Sequence, residues 1–281
     1  MSIIIARSLK ALKKKLAPIE SKKKIGLVPT MGCLHDGHLE LVKRSQKLNH
    51  YTVVSIFINP MQFNNKDDLK KYPSQEKKEK ELLKKYKADV VFIPKASQIY
   101  PNGYSTFLHE ENYSNILCGK YRKSHFEGVA TIVNKLLDLI EPAKIYFGEK
   151  DFQQLRIIEN LIKKRHPQIN LIRCETIRHK NGLALSSRNK KLNNSSLKIA
   201  TNLYKALNFV KQNIHTVGLK NVKKQALKYL SQFPEIKIEY LEIADEETLT
   251  TVENCVNGKK YRVFIAAYIF EVRLIDNIKL Y

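Results

Sequence analysis

Long apolar runs are missing from this sequence. No stretch approaches the ~18 residues that a membrane-spanning helix needs, so no spanning helix and no membrane partner are expected. The opening Met1-Ser2-Ile3-Ile4-Ile5-Ala6-Arg7 has too few apolar residues for a secretory leader and no small-residue cleavage site after it, which points to a cytoplasmic protein. Cysteine is sparse: Cys33, Cys118, Cys174 and Cys255 stand alone, with no C-x-x-C pair. Zinc sites usually draw on close pairs, so that spacing speaks against a metal cluster, and scattered thiols suit a reducing compartment. Repeats and low-complexity linkers are absent as well. Acidic residues are few, 27 Asp+Glu against 50 Lys+Arg, for a net charge of +23. Such a balance invites a nucleic-acid reading. The excess, however, is mostly lysine spread along the chain, at Lys13–Lys15, Lys22–Lys24, Lys77–Lys87 and Lys163–Lys164. Arginine is scarce, and basic residues do not interleave with aromatics. A solvated lysine-rich surface, with no nucleic-acid partner, is the plainer reading, and its positive field would favour acidic substrates.

What is present is a core and a rhythm. Hydrophobic residues form 43% of the 281, enough to build a core without disulfides. Leu9, Leu12 and Leu16 mark a basic amphipathic helix within residues 6–16. Short apolar runs at Ile25–Pro29, Tyr51–Asn59, Ala88–Pro94, Lys144–Phe147 and Ile169–Ile177 read as strands. Between them lie helical patterns at Gly37–Leu48, Pro73–Tyr86, Phe126–Ile140 and Asp151–Lys164. Strands alternating with helices predict an α/β fold, a Rossmann-like parallel sheet with helices on both faces. Beyond residue 177 the pattern changes to helices at Asn194–Asn213 and Leu219–Phe233, then strands at Ile236–Ala244, Arg262–Phe270 and Glu271–Ile275. A smaller C-terminal α+β domain over 178–281 is therefore expected after an N-terminal domain of 1–177.

Chemistry concentrates where the first of these strands meets its helix, in Pro29-Thr30-Met31-Gly32-Cys33-Leu34-His35-Asp36-Gly37-His38. Open α/β sheets bind ligands at the C-terminal ends of their strands, and a helix N-terminus offers N–H groups and partial positive charge to phosphate. His35 and His38, three apart, share one face of the first turn. The segment is neither a Walker A loop, since no Gly-Lys-Ser/Thr follows, nor a dinucleotide fingerprint. Its H-x-G-H pattern resembles the HIGH-type signature of class I adenylyl and nucleotidyl transferases, whose histidines stabilise charge on phosphate.

Four longer segments sharpen this. PTMGCLHDGHLELV, SIFINPMQF, HFEGVATIVNKLLDLIEPAKIYFGEKDFQQL and GLALSSRN resemble, in chain order, the successive signatures of the pantothenate synthetase family, across residues 25–192, roughly two-thirds of the chain. The resemblance implies an ATP-dependent ligase that activates pantoate as an acyl adenylate and passes it to β-alanine, with ATP brought in together with Mg2+ and no protein metal site. It also implies a homodimer and a C-terminal lid. The implied catalytic residues are His35, His38, Lys150 and Arg188. ATP would be bound by Met31, Gly37, His38, Gly148, Lys150, Asp151, Ile177, Leu185, Ser186, Ser187 and Arg188, with Ser186–Arg188 as the family's equivalent of a KMSKS loop. Pantoate would meet Pro29, Thr30, Asn59, Gln62, Tyr72 and Gln154, with Met31 and Phe57 as further walls and Arg122 and His125 as additional candidates. Neutral amides suit this task, because they orient a carboxylate without quenching its nucleophilicity.

Blander readings stand beside these. Gln153 and Gln154 could be a helix start, Phe152, Phe126 and Phe147 core residues, and Lys150 and Arg188 surface charges. The chain departs from the family pattern at Ser74, Lys123-Ser124, His179 and Asn181, and Glu79 stands where an aspartate is common, leaving an accessory Mg2+ contact there open. Two rivals remain: another HIGH-type nucleotidyltransferase acting on a phosphate ester, and an RNA-binding protein on a reused fold.

Overall fold

The computed structural model describes residues 3–19, 24–64, 69, 70, 72, 75–104 and 111–281. Lys22, Lys23, Pro73 and Ser74 lie outside the described residues, and with them the helix start placed at Pro73 and the departure at Ser74. The chain divides into two compact units, one of residues 1–114, 121–149 and 154–175, the other of 115–120, 150–153 and 176–281.

The first unit is built on a parallel sheet of six strands: β1 (Ile4–Ala6), β2 (Ile25–Thr30), β3 (Tyr51–Ile56), β4 (Val90–Phe92), β5 (Lys144–Gly148) and β6 (Asn170–Cys174), in the order β1-β4-β3-β2-β5-β6. Successive side chains of a strand point to opposite faces, and here both faces are apolar. Leu27, Val53, Val90, Phe92 and Ile145 join one core with Leu12 and Leu16 of α1 (Leu9–Leu16). Val129, Val133, Leu136 and Leu137 of α4 (His125–Ile140) and Leu155, Ile158 and Leu161 of α5 (Phe152–Arg165) complete that core. Their neighbours Val28, Val54, Val91 and Tyr146 face the opposite core, with Leu41 and Val42 of α2 (Asp36–Leu48) and Leu83 of α3 (Glu76–Lys85). Helices thus cover both faces, as a wholly parallel sheet requires.

The second unit carries α6 (Asn194–Val217), α7 (Leu219–Leu230) and an antiparallel sheet of β7 (Ile236–Asp245), β8 (Tyr261–Ile269) and β9 (Val272–Lys279). Asn193 caps α6, its Oδ1 accepting from the Ser196 N–H at 2.8 Å, and Gly218 at φ 78° stops the helix. Leu203, Leu207, Val210 and Leu230 pack with Ile243, Val263 and Ile265 in the core of this unit.

Several boundaries move from their sequence-based places. The run Tyr51–Asn59 is strand only to Ile56, because Asn59 caps a 3-10 turn at Pro60–Gln62. The strands at 88–94 and 169–177 shorten to Val90–Phe92 and Asn170–Cys174. The last strand runs on past Ile275 to Lys279. Strand β1 has no counterpart in the sequence reading: at three residues it is too short to show a period.

Candidate active site

The strand order doubles back at β2, which pairs with β3 on one side and β5 on the other. The C-terminal ends of such a pair form the crevice where open α/β sheets bind ligands. At the end of β2, Thr30 Oγ1 donates to the Ser55 carbonyl at 2.8 Å and accepts the Gly32 N–H at 3.2 Å. Gly32 (φ 81°) and Cys33 (φ 51°) then turn the chain through two left-handed residues. For cysteine that conformation costs on the order of 1–2 kcal/mol. Glu79, 2% exposed, stabilises it by accepting the Cys33 N–H on its carboxylate. A Cβ at position 32 would stand 2.9 Å from Glu79 Oε1, so the glycine is needed there. Glu79 is therefore a loop-holding carboxylate. His35 opens α2 as its N-cap, with Gly37 in the first turn, and the His35 and His38 rings lie 4.1 Å apart between centroids.

A second cluster forms around the turn after β3. Asn59 is buried at 1%; its Nδ2 donates to the Gly128 carbonyl at 2.9 Å and to Gln62 Oε1 at 3.2 Å, while its Oδ1 accepts from Tyr100 Oη at 2.8 Å. Burial pushes the Tyr100 hydroxyl well above its usual pKa, which keeps it protonated and donating. Gly128 on α4 lets the helix approach: a Cβ there would stand 2.5 Å from the Met61 carbonyl oxygen. His125 Nδ1 lies 2.7 Å from the Gln62 carbonyl and its Nε2 2.8 Å from Arg122 Nη1. Since guanidinium can only donate, the His125 proton sits on Nδ1. Gln62 Nε2 faces Met31 Sδ at 2.7 Å. A thioether is a weak acceptor, so among the described residues this amide donor meets no strong partner on that side.

The other residues of this unit are more dispersed. Pro29 is half-buried in β2, and Phe57 is buried against Tyr100. The Tyr72 ring meets Phe63 edge-on at 5.6 Å. Gln154 is half-buried in the first turn of α5. Among the described residues nothing approaches within 4 Å of where a Cβ at Gly148 would stand, so the end of β5 is open. Of the departures, Ser124 takes a left-handed conformation (φ 59°) before α4, at a cost glycine would avoid.

Lys150, Asp151, Ile177, Leu185, Ser186, Ser187 and Arg188 belong to the second unit. The Lys150 side chain is 17% exposed, with Nζ 3.6 Å from Asp151 Oδ2. Residues 177–185 form a small hairpin: the Leu185 N–H donates to Ile177 at 3.0 Å, the His179 N–H to Leu183 at 2.9 Å, and Asn181-Gly182 make its turn with Gly182 at φ 91°. Arg178 closes one side, forking onto Asp276 at 2.6 and 2.9 Å and reaching the Gly182 carbonyl at 3.0 Å. Burial pushes the Asp276 carboxyl up in pKa; the Arg178 fork, the Asn277 N–H and the charge of Lys150 oppose it. Ser186 Oγ caps the following turn by accepting the Arg188 N–H at 3.2 Å, and Arg188 Nη1 reaches the Arg273 carbonyl at 3.4 Å. Gln153 is buried, its amide bonded to the Cys118 N–H and the Ile116 carbonyl, a structural role that leaves Gln154 as the candidate. Among the described residues no three His, Cys, Asp or Glu side chains gather as a metal-ligand set.

The sequence model of the Pantoate-beta-alanine ligase family matches residues 4–279. The chain belongs to that family. A pantothenate synthetase of Pseudothermotoga lettingae is 43% identical over 288 residues, with 98% of each chain covered. The pantothenate synthetase of Thermus thermophilus superposes with a TM-score of 0.92 at 34% identity, covering 99% of this chain and 100% of the other. The pantoate-beta-alanine ligase of Francisella tularensis, complexed with beta-gamma ATP and beta-alanine, superposes with a TM-score of 0.83 at 35% identity, covering 99% and 98%. The chain is thus an enzyme, a ligase of this family. Sequence reasoning did not single out Tyr100, Gly128, Arg178, Asp276 or Asn277. A signal for the last two existed, since an acidic residue and an amide interrupt an apolar strand and must find partners when buried.

Proposed function

We propose that this ligase condenses pantoate with β-alanine in two steps, through a pantoyl adenylate. The pantoate carboxylate attacks the α-phosphorus of ATP and pyrophosphate leaves. The β-alanine amine then attacks the acyl carbon, loses a proton, and AMP departs. The observation that carries the reading is the Gln62 amide, fixed by Asn59 and directed at a weak acceptor. A carboxylate is a far stronger acceptor for that donor, and a neutral amide orients it without neutralising its charge. ATP and β-alanine are the ligands named for the Francisella tularensis relative, and we carry both to this chain.

In this reading Gln62 and Gln154 orient pantoate, with Pro29, Thr30, Met31, Asn59 and Tyr72 shaping its surroundings. His35 and His38, at the N-terminus of α2, receive the phosphates with Gly37. Gly148 and Asp151 take the ribose, and Ile177 and Leu185 contact the nucleotide. Lys150 offsets charge developing on the transferred phosphorus, and Ser186, Ser187 and Arg188 hold the β- and γ-phosphates. Mg2+ enters as part of the ATP substrate. No side-chain nucleophile is required, so positioning and electrostatics supply the rate. A lid role for residues 178–281 and a homodimer belong to the same proposal on the strength of the family resemblance, and a cytoplasmic location on the scattered, unpaired cysteines.

Isotope exchange tests the two steps. Labelled pyrophosphate should enter ATP when pantoate is present and β-alanine absent, and should not when pantoate is withheld. Exchange that required β-alanine would mean a concerted reaction, and exchange indifferent to pantoate would mean a different nucleotidyltransferase.

A further inference from the structure

Strand β9 holds three parts of the second unit that the proposed chemistry uses. Through its Arg273 carbonyl it meets Arg188, through Asp276 it grips the Arg178 fork and so the hairpin before Ser186, and through Asn277 it meets Lys150. The last contact is directed. Asn277 is 3% exposed, and its Nδ2 donates to the Lys150 main-chain carbonyl at 2.8 Å. Its Oδ1 accepts from Arg262 Nη1 at 2.6 Å. Arg262 is fixed in turn, bonded to Glu246 at 2.9 Å and stacked over the Phe152 ring at 3.9 Å. A guanidinium has no acceptor and a carbonyl no donor, so only one orientation of the Asn277 amide satisfies both neighbours.

We propose that Asn277 is a positioning residue for the ligase reaction, setting the main chain at Lys150 so that its ammonium meets the reacting phosphate. The inference rests on the role given to Lys150 above. Buried side chains with this many directed bonds hold atoms to fractions of an ångström, and a misplacement of about 1 Å can cost on the order of 100-fold in rate. Asn277 should therefore act on turnover and leave substrate affinity nearly untouched.

Pyrophosphate exchange dependent on pantoate is the assay, measured on the full chain. Asn277→Ala should lower kcat on the order of 10- to 100-fold while KM for ATP and pantoate stays within about twofold. Asn277→Asp, isosteric and still facing Arg262 with an oxygen, sets an acceptor against the Lys150 carbonyl and should lose as much; it serves equally if the alanine variant does not fold. Val210→Ala, in the buried core of α6, should lower Tm and leave kcat unchanged, which separates positioning from loss of stability. In a Lys150→Ala background the Asn277→Ala change should add no further loss, since the group it positions is gone. Native kcat in a folded Asn277 variant, or losses that multiply with Lys150→Ala, would overturn this inference alone. Native exchange in Lys150→Ala would overturn the role of Lys150, and this inference with it.

Discussion

Gln62 shows how one side chain is prepared for a ligand. Its side-chain carbonyl accepts from Asn59, which turns the amide nitrogen toward Met31, and its main-chain carbonyl is held by His125. Truncation to alanine removes that directed donor together with one acceptor of the Asn59 amide, which keeps its bond to the Gly128 carbonyl. We expect Gln62→Ala and Gln154→Ala to raise KM for pantoate at least tenfold more than KM for ATP, roughly the 1.5–3 kcal/mol of a hydrogen bond to a charged group. Steady-state kinetics with each substrate varied in turn will show it; equal effects on both would mean that the acid sits elsewhere. His125 belongs with this group as support, since its ring locks the turn that carries Gln62.

At the scale of elements, Gly128 decides how closely α4 approaches the Pro60–Gln62 turn. Gly128→Ala would press its methyl group on the Met61 carbonyl, an overpacking that typically costs about 1–3 kcal/mol. The expected result is a lower Tm together with a raised KM for pantoate, because the displaced turn carries Gln62; thermal unfolding and kinetics on one sample test both. The elements themselves were largely legible. Alternating apolar runs and amphipathic stretches announced five strands of the parallel sheet and the helices beside them, since burial on both faces writes itself into composition. Two features escaped. Strand β1 gains its place from pairing with β4, a tertiary fact that three residues cannot encode. The end of β9 was hidden because Asp276 and Asn277 look like turn residues until Arg178 and Arg262 are seen to satisfy them. Of the candidate site, the residue types and their order were readable from motifs. The supports were not: Glu79 beneath the loop after β2, Tyr100 on Asn59 and Asn277 on Lys150 join residues distant in sequence.

Across the whole molecule the charge of +23 is the feature that most invites misreading. Exposed lysines sit on α1 at Lys13–Lys15, on α3 at Lys77, Lys78, Lys84 and Lys85, and on α5 at Lys163 and Lys164. Helices α1 and α5 cover one face of the parallel sheet and α3 the other, so these charges do not line a single groove. Binding to a nucleic-acid duplex should then be weak and largely lost between about 50 and about 200 mM salt, as counterion release dictates. Fluorescence anisotropy of a labelled duplex is the check, and a complex that persists at physiological salt would overturn the dispersed-surface reading. The parallel sheet carries a consequence for how the chain reaches its native form. Gly26 on β2 pairs with Lys144 on β5, so the central strand waits for a partner made more than a hundred residues later. On the ribosome, β1, β2, β3 and β4 emerge as a half-sheet whose β2 edge stays unpaired throughout that interval. Folding dominated by such distant pairings is slow and exposes apolar edges to neighbouring chains. The same doubling-back that makes a ligand crevice thus leaves the nascent chain dependent, for a time, on whatever keeps that open edge from finding another copy of itself.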